Sequence, residues 1–323
     1  MSVIRNEFPI IVKPKIIYKN KRKSFPLRIA QPQNTTVLVK PTTSTKNDKL
    51  HLLIDSLSDS YKELSQMLDQ FKFDEKGLHV PRQHKLFFET VITNKELNQY
   101  ITVNDYQKDE LLQNVNFTWY KSPTIAIFHN IVPIDKENIS AYEFTFKYPS
   151  CLSLSVDQRL QEKPLREYLE QSKMLLENEK IFIQFGIQPC EYEWWKEAED
   201  YQKPLPKRVK VSETSKSKLA NNGFDSCLRL IVQSNNVQRR DMIARGIIMA
   251  IKQLNGDNEL VEKSVKYNKL DKWLNKKVMP RTIDVPFFRF KKRFIMTKKE
   301  IQHFIKLPQR NLQKDFELDI NER

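Results

Sequence analysis

Hydrophobic and polar positions switch between two periods along this chain, and each switch marks an element. Leu52, Leu53, Leu57, Leu64, Met67, Leu68 and Phe71 recur near helical spacing and predict a helix from Asp48 that the turn at 77–81 breaks. "KLFFETVIT" (85–93) and "NQYITVN" (98–104) read as the two strands of a hairpin. A short helix over 106–115 and a strand over 124–131 follow, and 141–156 alternates apolar and polar residues with Pro149 as an interruption. Over 163–179 the pattern is helical, with Pro164 favourable in the first turn and Leu165, Leu169, Met174 and Leu176 supplying much of the apolar face. "KIFIQFGIQP" (180–189) is a buried strand ended by Pro189, and an acidic, Trp-bearing helix is expected over 191–201. The polar, basic stretch 203–223 reads as a mobile loop. A strand over 224–234 leads into a long helix over 236–254, with Met242, Ile243, Ile247, Ile248 and Ile251 on one side.

Strand, helix and strand, then strand and helix again, predict an α+β fold of split β-α-β (ferredoxin-like) sandwich units. A basic N-terminal arm precedes them and a capped helix follows. The expected domains are a basic extended arm and linker over 1–50, with "TTSTKND" (42–48) as the linker, and a helical segment over 51–82. A first α+β unit covers 83–160 and a second covers 161–260, including the loop 203–223. A basic aromatic segment with a terminal linker helix occupies 261–323. The start of that helix is well specified: Thr297 as N-cap, Glu300 as the N3 residue of a capping box, and Met296 with Ile301 as a hydrophobic staple. Ile301, Phe304 and Ile305 share one face, Lys306 suits the C-terminal dipole, and Pro308 biases Leu307 out of the α region. Such a helix either docks on its own domain or forms a junction to a partner.

Charge changes this picture at the two ends. The net charge is +15, yet residues 1–50 carry eleven Lys/Arg against Glu7 and Asp48, and 263–299 carry thirteen against Asp271 and Asp284. The remainder is therefore mildly acidic, and two basic ends suit an anionic partner, nucleic acid or a lipid surface. The candidate cations are Lys19, Lys21, Arg22 and Lys23 at one end and Arg289, Lys291, Lys292 and Arg293 at the other. In "FFRFKKRF" (287–294) the rings can stack on bases or pack in a core behind a basic rim. Cys151, Cys190 and Cys227 lie far apart, which fits small core residues in a reducing compartment better than a disulfide framework. No apolar run approaches a membrane span and residues 1–15 hold no long apolar core of a signal peptide, so the expected location is the cytoplasm, or peripherally the inner face of the membrane.

Candidate chemistry is sparse. A P-loop needs GxxxxGK[ST] between strand and helix, and none of the 5 glycines stands in that context, so no enzyme activity is assigned. The five histidines lack metal spacing, His79 and His84 included, and no CxxC exists. Glu191, Glu193, Glu197, Glu199 and Asp200 offer paired carboxylates for a metal-dependent nuclease, but no supporting His or Asp cluster accompanies them, and a solvated helix anchored by Trp194 or Trp195 explains them as well. No catalytic, cofactor or metal residue is therefore named.

Several separated pieces resemble one family. "YPSCLSLSVDQR", then "KPLREYLEQSKMLLENEKIFIQFGIQP", then a Trp, look like the region upstream of the motor in HerA/FtsK-like conjugative DNA-transfer ATPases, related to coupling proteins, of Gram-positive plasmids and integrative elements. "FDSCLRLIVQS" with the long helix ending "AIKQLNG" is similar to their next strand-helix unit. "FIMTKKEIQHFIKLPQRNLQKDF" resembles the element preceding their motor, so Thr297, Glu300, Leu307 and Pro308 are the expected motor or partner junction. The family's P-loop core belongs after that element, so the resemblance assigns ATP hydrolysis to no residue here. It implies a non-catalytic module of a conjugation or type IV secretion-like machine, partnered by a P-loop translocation ATPase or other machine components, by DNA, by an anionic membrane surface, or by further copies of itself. The alternative is an autonomous nucleic-acid-binding protein of a mobile element.

Overall fold

The computed structural model describes residues 34–56, 85–94, 96–104, 108–120, 122–127, 129–133, 135–156, 162–190, 194, 212–283 and 293–316, with short strand pieces at 11–12, 27–28, 72–74 and 77–79. The main sheet has nine strands. In chain order they are β1 (Asn34–Val39), β2 (Leu86–Ile92), β3 (Leu97–Asn104), β4 (Thr124–Ile127), β5 (Ile139–Phe146), β6 (Lys180–Pro189), β7 (Gly223–Gln233), β8 (Leu260–Ser264) and β9 (Ile295–Thr297). The helices are α1 (50–56), α2 (Lys108–Thr118), α3 (Lys163–Met174), α4 (Glu213–Lys218), α5 (Val237–Lys252), α6 (Tyr267–Trp273), α7 (Lys298–Ile301) and α8 (Arg310–Asp315).

All strand neighbours in this sheet are antiparallel, in the order β8-β5-β7-β6-β2-β3-β1-β4, with β9 added along β7. That order contains the same arrangement twice. β1-α1-β2-β3-α2-β4 lie as β4-β1-β3-β2, and β5-α3-β6-β7-α5-β8 lie as β8-β5-β7-β6. Each is a split β-α-β unit of the ferredoxin-like kind. The second strands of the two units pair directly, from Ile181 with Ile92 to Ile187 with Leu86, so two units share one continuous sheet.

The topology draws the unit boundaries differently from the periodicity. The first unit begins at β1, inside the stretch expected as an arm, and β5 opens the second unit. "NTTVLV" is a strand because it is paired on both edges and Val37 and Val39 enter the core. Residues 42–48 are not a free linker: the Thr42 backbone N–H donates to Thr45 Oγ1 at 2.7 Å, and Thr45 is buried. The second half of the stretch expected as a mobile loop holds α4, with Ser212 as its N-cap. β8 falls where no strand was expected, and the 141–156 strand stops at Phe146.

One core fills the helix side of the sheet across both units. Leu53 and Ile54 of α1, Val115 of α2, Leu165 and Leu169 of α3, and Ile243, Ile247 and Ile251 of α5 all enter it. Asn236 caps α5 by accepting from the N–H groups of Gln238 and Arg239, a contribution of about 1 kcal/mol. On the opposite side, α6 and the π-helical turn Leu274–Val278 cover the second unit, with Leu270, Trp273, Leu274 and Val278 packed on Ala141, Phe182 and Ile231.

Candidate functional site

Residues 295–316 form a strap across the helix side of both units. It starts as β9, registered with Gly223–Asp225 of β7, and turns into α7 at Thr297. The capping box is present, and Met296 and Ile301 are both buried as the staple requires. The helix then ends after Ile301 instead of continuing through Phe304 and Ile305. Residues 306–309, outside helix and strand, carry the chain across to the first unit.

Glu300 lies wholly out of solvent and does more than close the box. One carboxylate oxygen accepts from the Thr297 N–H at 2.8 Å and the Thr297 hydroxyl at 3.1 Å. The other accepts from the Leu154 N–H at 2.8 Å and from Lys218 Nζ at 3.0 Å. Lys218 is equally buried, donates also to the Leu152 carbonyl at 3.1 Å, and sits 4.9 Å from the Phe146 ring centroid. Burial pulls the Lys218 ammonium below its ordinary range, and Glu300 opposes that shift. Burial likewise raises the Cys151 thiol while the Lys218 charge pulls it down. Alongside, Ser215 donates to Asp257 at 2.6 Å and accepts from the Ser153 N–H at 2.8 Å, which ties α4 to the same loop.

Beyond α7 the contacts reach the first unit. Phe304 stacks on Phe185 of β6 with centroids 4.8 Å apart. Gln99 donates to the Lys306 carbonyl at 2.8 Å. Asn47 donates to the Leu307 carbonyl at 2.9 Å and accepts from the Leu307 N–H at 3.2 Å and the Trp119 indole at 3.1 Å. Gln313 donates to the Thr42 carbonyl at 2.9 Å, and Lys298 pairs with Asp55 at 2.7 Å. His303 is buried with neither ring nitrogen hydrogen-bonded. Burial, then the Lys306 charge, lower its pKa to about 4; the Ser155 backbone favours the proton slightly without reaching hydrogen-bond geometry. A cavity under the strap, between Phe88, Tyr100, Trp119, Phe304 and Leu307, measures about 10 Å³, room for one water and not for a substrate.

A second polar array crosses the other side of the sheet. Glu143, Arg229, Gln184 and Glu89 stand in one row on β5, β7, β6 and β2. Arg229 donates to Gln184 at 2.7 Å, and Gln184 donates to Glu89 at 2.7 Å. Thr102 adds a hydrogen bond to Glu89 at 3.0 Å. The segment after the π turn closes over the row: Arg281 meets Glu89 through both Nε and Nη2, Lys277 pairs with Glu143 at 3.1 Å, and Arg229 reaches the Lys277 and Thr282 carbonyls. Arg281 has a positive φ of 53°, a strained turn that the Glu89 contact holds in place.

The four junction residues expected from sequence, Thr297, Glu300, Leu307 and Pro308, therefore come together in the strap, all buried. They join the two units to each other. Arg293, expected as a surface cation, is instead tied into the sheet by a two-pronged pair with Asp225, whose Nε arm is 3.0 Å, and little of its side chain meets solvent. Lys19, Lys21, Arg22, Lys23, Arg289, Lys291 and Lys292 lie outside the described residues, as do Glu191, Glu193, Glu197, Glu199, Asp200, His84 and the side chain of His79. Among the described residues no group of three or more His, Cys, Asp or Glu is placed to hold a metal. Also among them, no helix is long and apolar enough to cross a membrane. Sequence reading missed Lys218, Glu89, Gln184 and Arg229. The last three had a signal: each is the one charged or amide residue in the middle of a largely apolar strand, in "FFETVI", "IFIQFG" and "CLRLIV".

No family model matches the chain, and no curated protein matches it. One solved structure, described as a crystal structure study of an anthrone oxidase-like protein, aligns over 72% of this chain and 89% of its own at 8% identity. Its TM-score of 0.19 carries neither fold nor activity across.

Proposed function

We propose that this chain is a non-catalytic assembly module of a DNA-transfer machine of plasmids or integrative elements, one that positions a P-loop motor. The observation that carries the reading is the strap. The segment that resembles the element before such motors is locked into both units by the Lys218–Glu300 pair, the Phe304–Phe185 stack and the Asn47–Leu307 bridge. A motor bound to the strap would be held in a fixed orientation to the nine-stranded sheet. The sequence supplies no Walker A loop, so the reading asks another polypeptide segment for the nucleotide chemistry.

The test is co-purification of the full chain with a translocation ATPase encoded beside it, together with an ATPase assay of the chain alone. The expected result is a stable complex and no hydrolysis by this chain. A chain that hydrolyses ATP unaided, or that never associates with the motor, overturns the reading.

A further inference from the structure

The second unit's other side ends in a positively charged outer layer. In α6 and the π turn, Leu270, Trp273, Leu274 and Val278 face the sheet. Lys266, Lys269, Lys272 and Lys276 are exposed, as are Asn268 and Asn275, and Tyr267 is 69% exposed. Lys263 on the neighbouring edge strand β8 is exposed as well. None of these five lysines has an ion-pair partner among the described residues, and the acid within the helix, Asp271, is already held by Lys136. The charges that could have neutralised the layer from beneath are spent in the buried row: Glu143 on Lys277 and Arg229, and Glu89 on Arg281.

We propose that the outer face of α6 and its π-helical turn binds the phosphate backbone of nucleic acid through Lys266, Lys269, Lys272 and Lys276, with Tyr267 at its edge available to stack on a base. Helix-free faces of four-stranded units of this shape can serve as stacking platforms for bases. Here that face of the second unit is covered by α6 and the 279–283 segment, so a polyanion meets the lysines and not the sheet. From Lys266 to Lys276 the helix runs about 15 Å, in which one strand of a duplex passes about four phosphates. A lipid surface fits less well, since the lysines are interleaved with asparagines and Tyr267 is the one large apolar group exposed on the helix. This surface does not depend on the assembly reading: it can bind whether or not a motor docks on the strap.

The experiment measures fluorescence anisotropy of labelled single strands and duplexes of about 30 nucleotides with the full chain, over about 50–200 mM salt. A Lys269→Gln, Lys272→Gln, Lys276→Gln variant is compared with Lys46→Gln, Lys180→Gln, Lys314→Gln, which removes the same charge at exposed positions elsewhere. The expected result is affinity at least about tenfold weaker for the first variant, with a duplex salt slope shallower by about 2–3, and little change for the second. Matching far-ultraviolet spectra and melting temperatures establish that both are folded. Equal losses in the two variants, or no binding by the unmodified chain at about 50 mM salt, overturn the proposal. So does binding to phosphatidylserine vesicles with none to either nucleic acid, which would make the surface a membrane one.

Discussion

Single residues in this fold are held by partners that tolerate few substitutes. Glu300→Ala strands the buried Lys218 ammonium, and about 3–5 kcal/mol of stability should be lost in urea unfolding. Removing both charges together, as Lys218→Met with Glu300→Gln, should recover part of that loss, because the pair's desolvation cost disappears while the amide oxygen can still accept from one of the buried N–H groups of Thr297 and Leu154. A steric demand sets Gly186. A Cβ there would sit 2.3 Å from the ring of Phe87, its partner across β6 and β2, and that ring is itself packed against Cys227 and Ile283. Gly186→Ala should therefore cost about 1–3 kcal/mol, read by the same unfolding curves. At this scale the sequence was partly legible. The capping-box residues and the staple announced themselves, whereas Lys218 sat in a polar run with nothing to show that its neighbours would bury it.

At the scale of elements, the strong strands and helices were visible because both faces or one stripe are apolar: β6 and β7 read as runs, α5 as a stripe with an Asn cap. β8 is an edge strand with a mostly exposed side-chain pattern, so its period carries little signal. β1 was hidden by its Thr-rich start, and the early end of α7 by residues that keep helical spacing while serving a different geometry. The strap also gives stability a dependence on pH. His303 has a folded pKa near 4 against about 6.5 unfolded, so the unfolded chain binds the extra proton between those values. Its contribution is complete above about pH 6.5 and is lost as pH falls toward 4, by up to about 3 kcal/mol. Denaturation curves at pH 4.5 and pH 7 should show a smaller difference for His303→Leu than for the unmodified chain. Glu179, lowered to about 2 by Arg239 first, stays charged in the folded chain and adds a loss of its own only as pH falls to about 4.5 and below, where the unfolded carboxylate takes up a proton; that part is common to both chains.

For the whole molecule, the continuous β2–β6 seam and the strap across it imply that the two units do not unfold separately. Calorimetry should give one transition, and Phe304→Ala, which opens the stack on Phe185, should lower it by the equivalent of about 3–5 kcal/mol without splitting it. Two resolved transitions would show that the seam couples the units weakly. Two α+β units could be read from element order, but not that they repeat one topology, since β1 and β8 were not expected as strands. Their fusion into one sheet could not, because strand neighbours across the seam are chosen by matching apolar faces some ninety residues apart. The Asn47–Leu307 bridge spans 260 residues and Gln313–Thr42 spans 271, so the contacts that close the shared core join one of its earliest segments to its last. During synthesis the sheet can assemble while Phe185 and Trp119 still wait for their cover. The ribosome thus releases the closing piece after all the strands and helices it covers, and a product cut short before residue 295 exposes that apolar trough to chaperones and proteases.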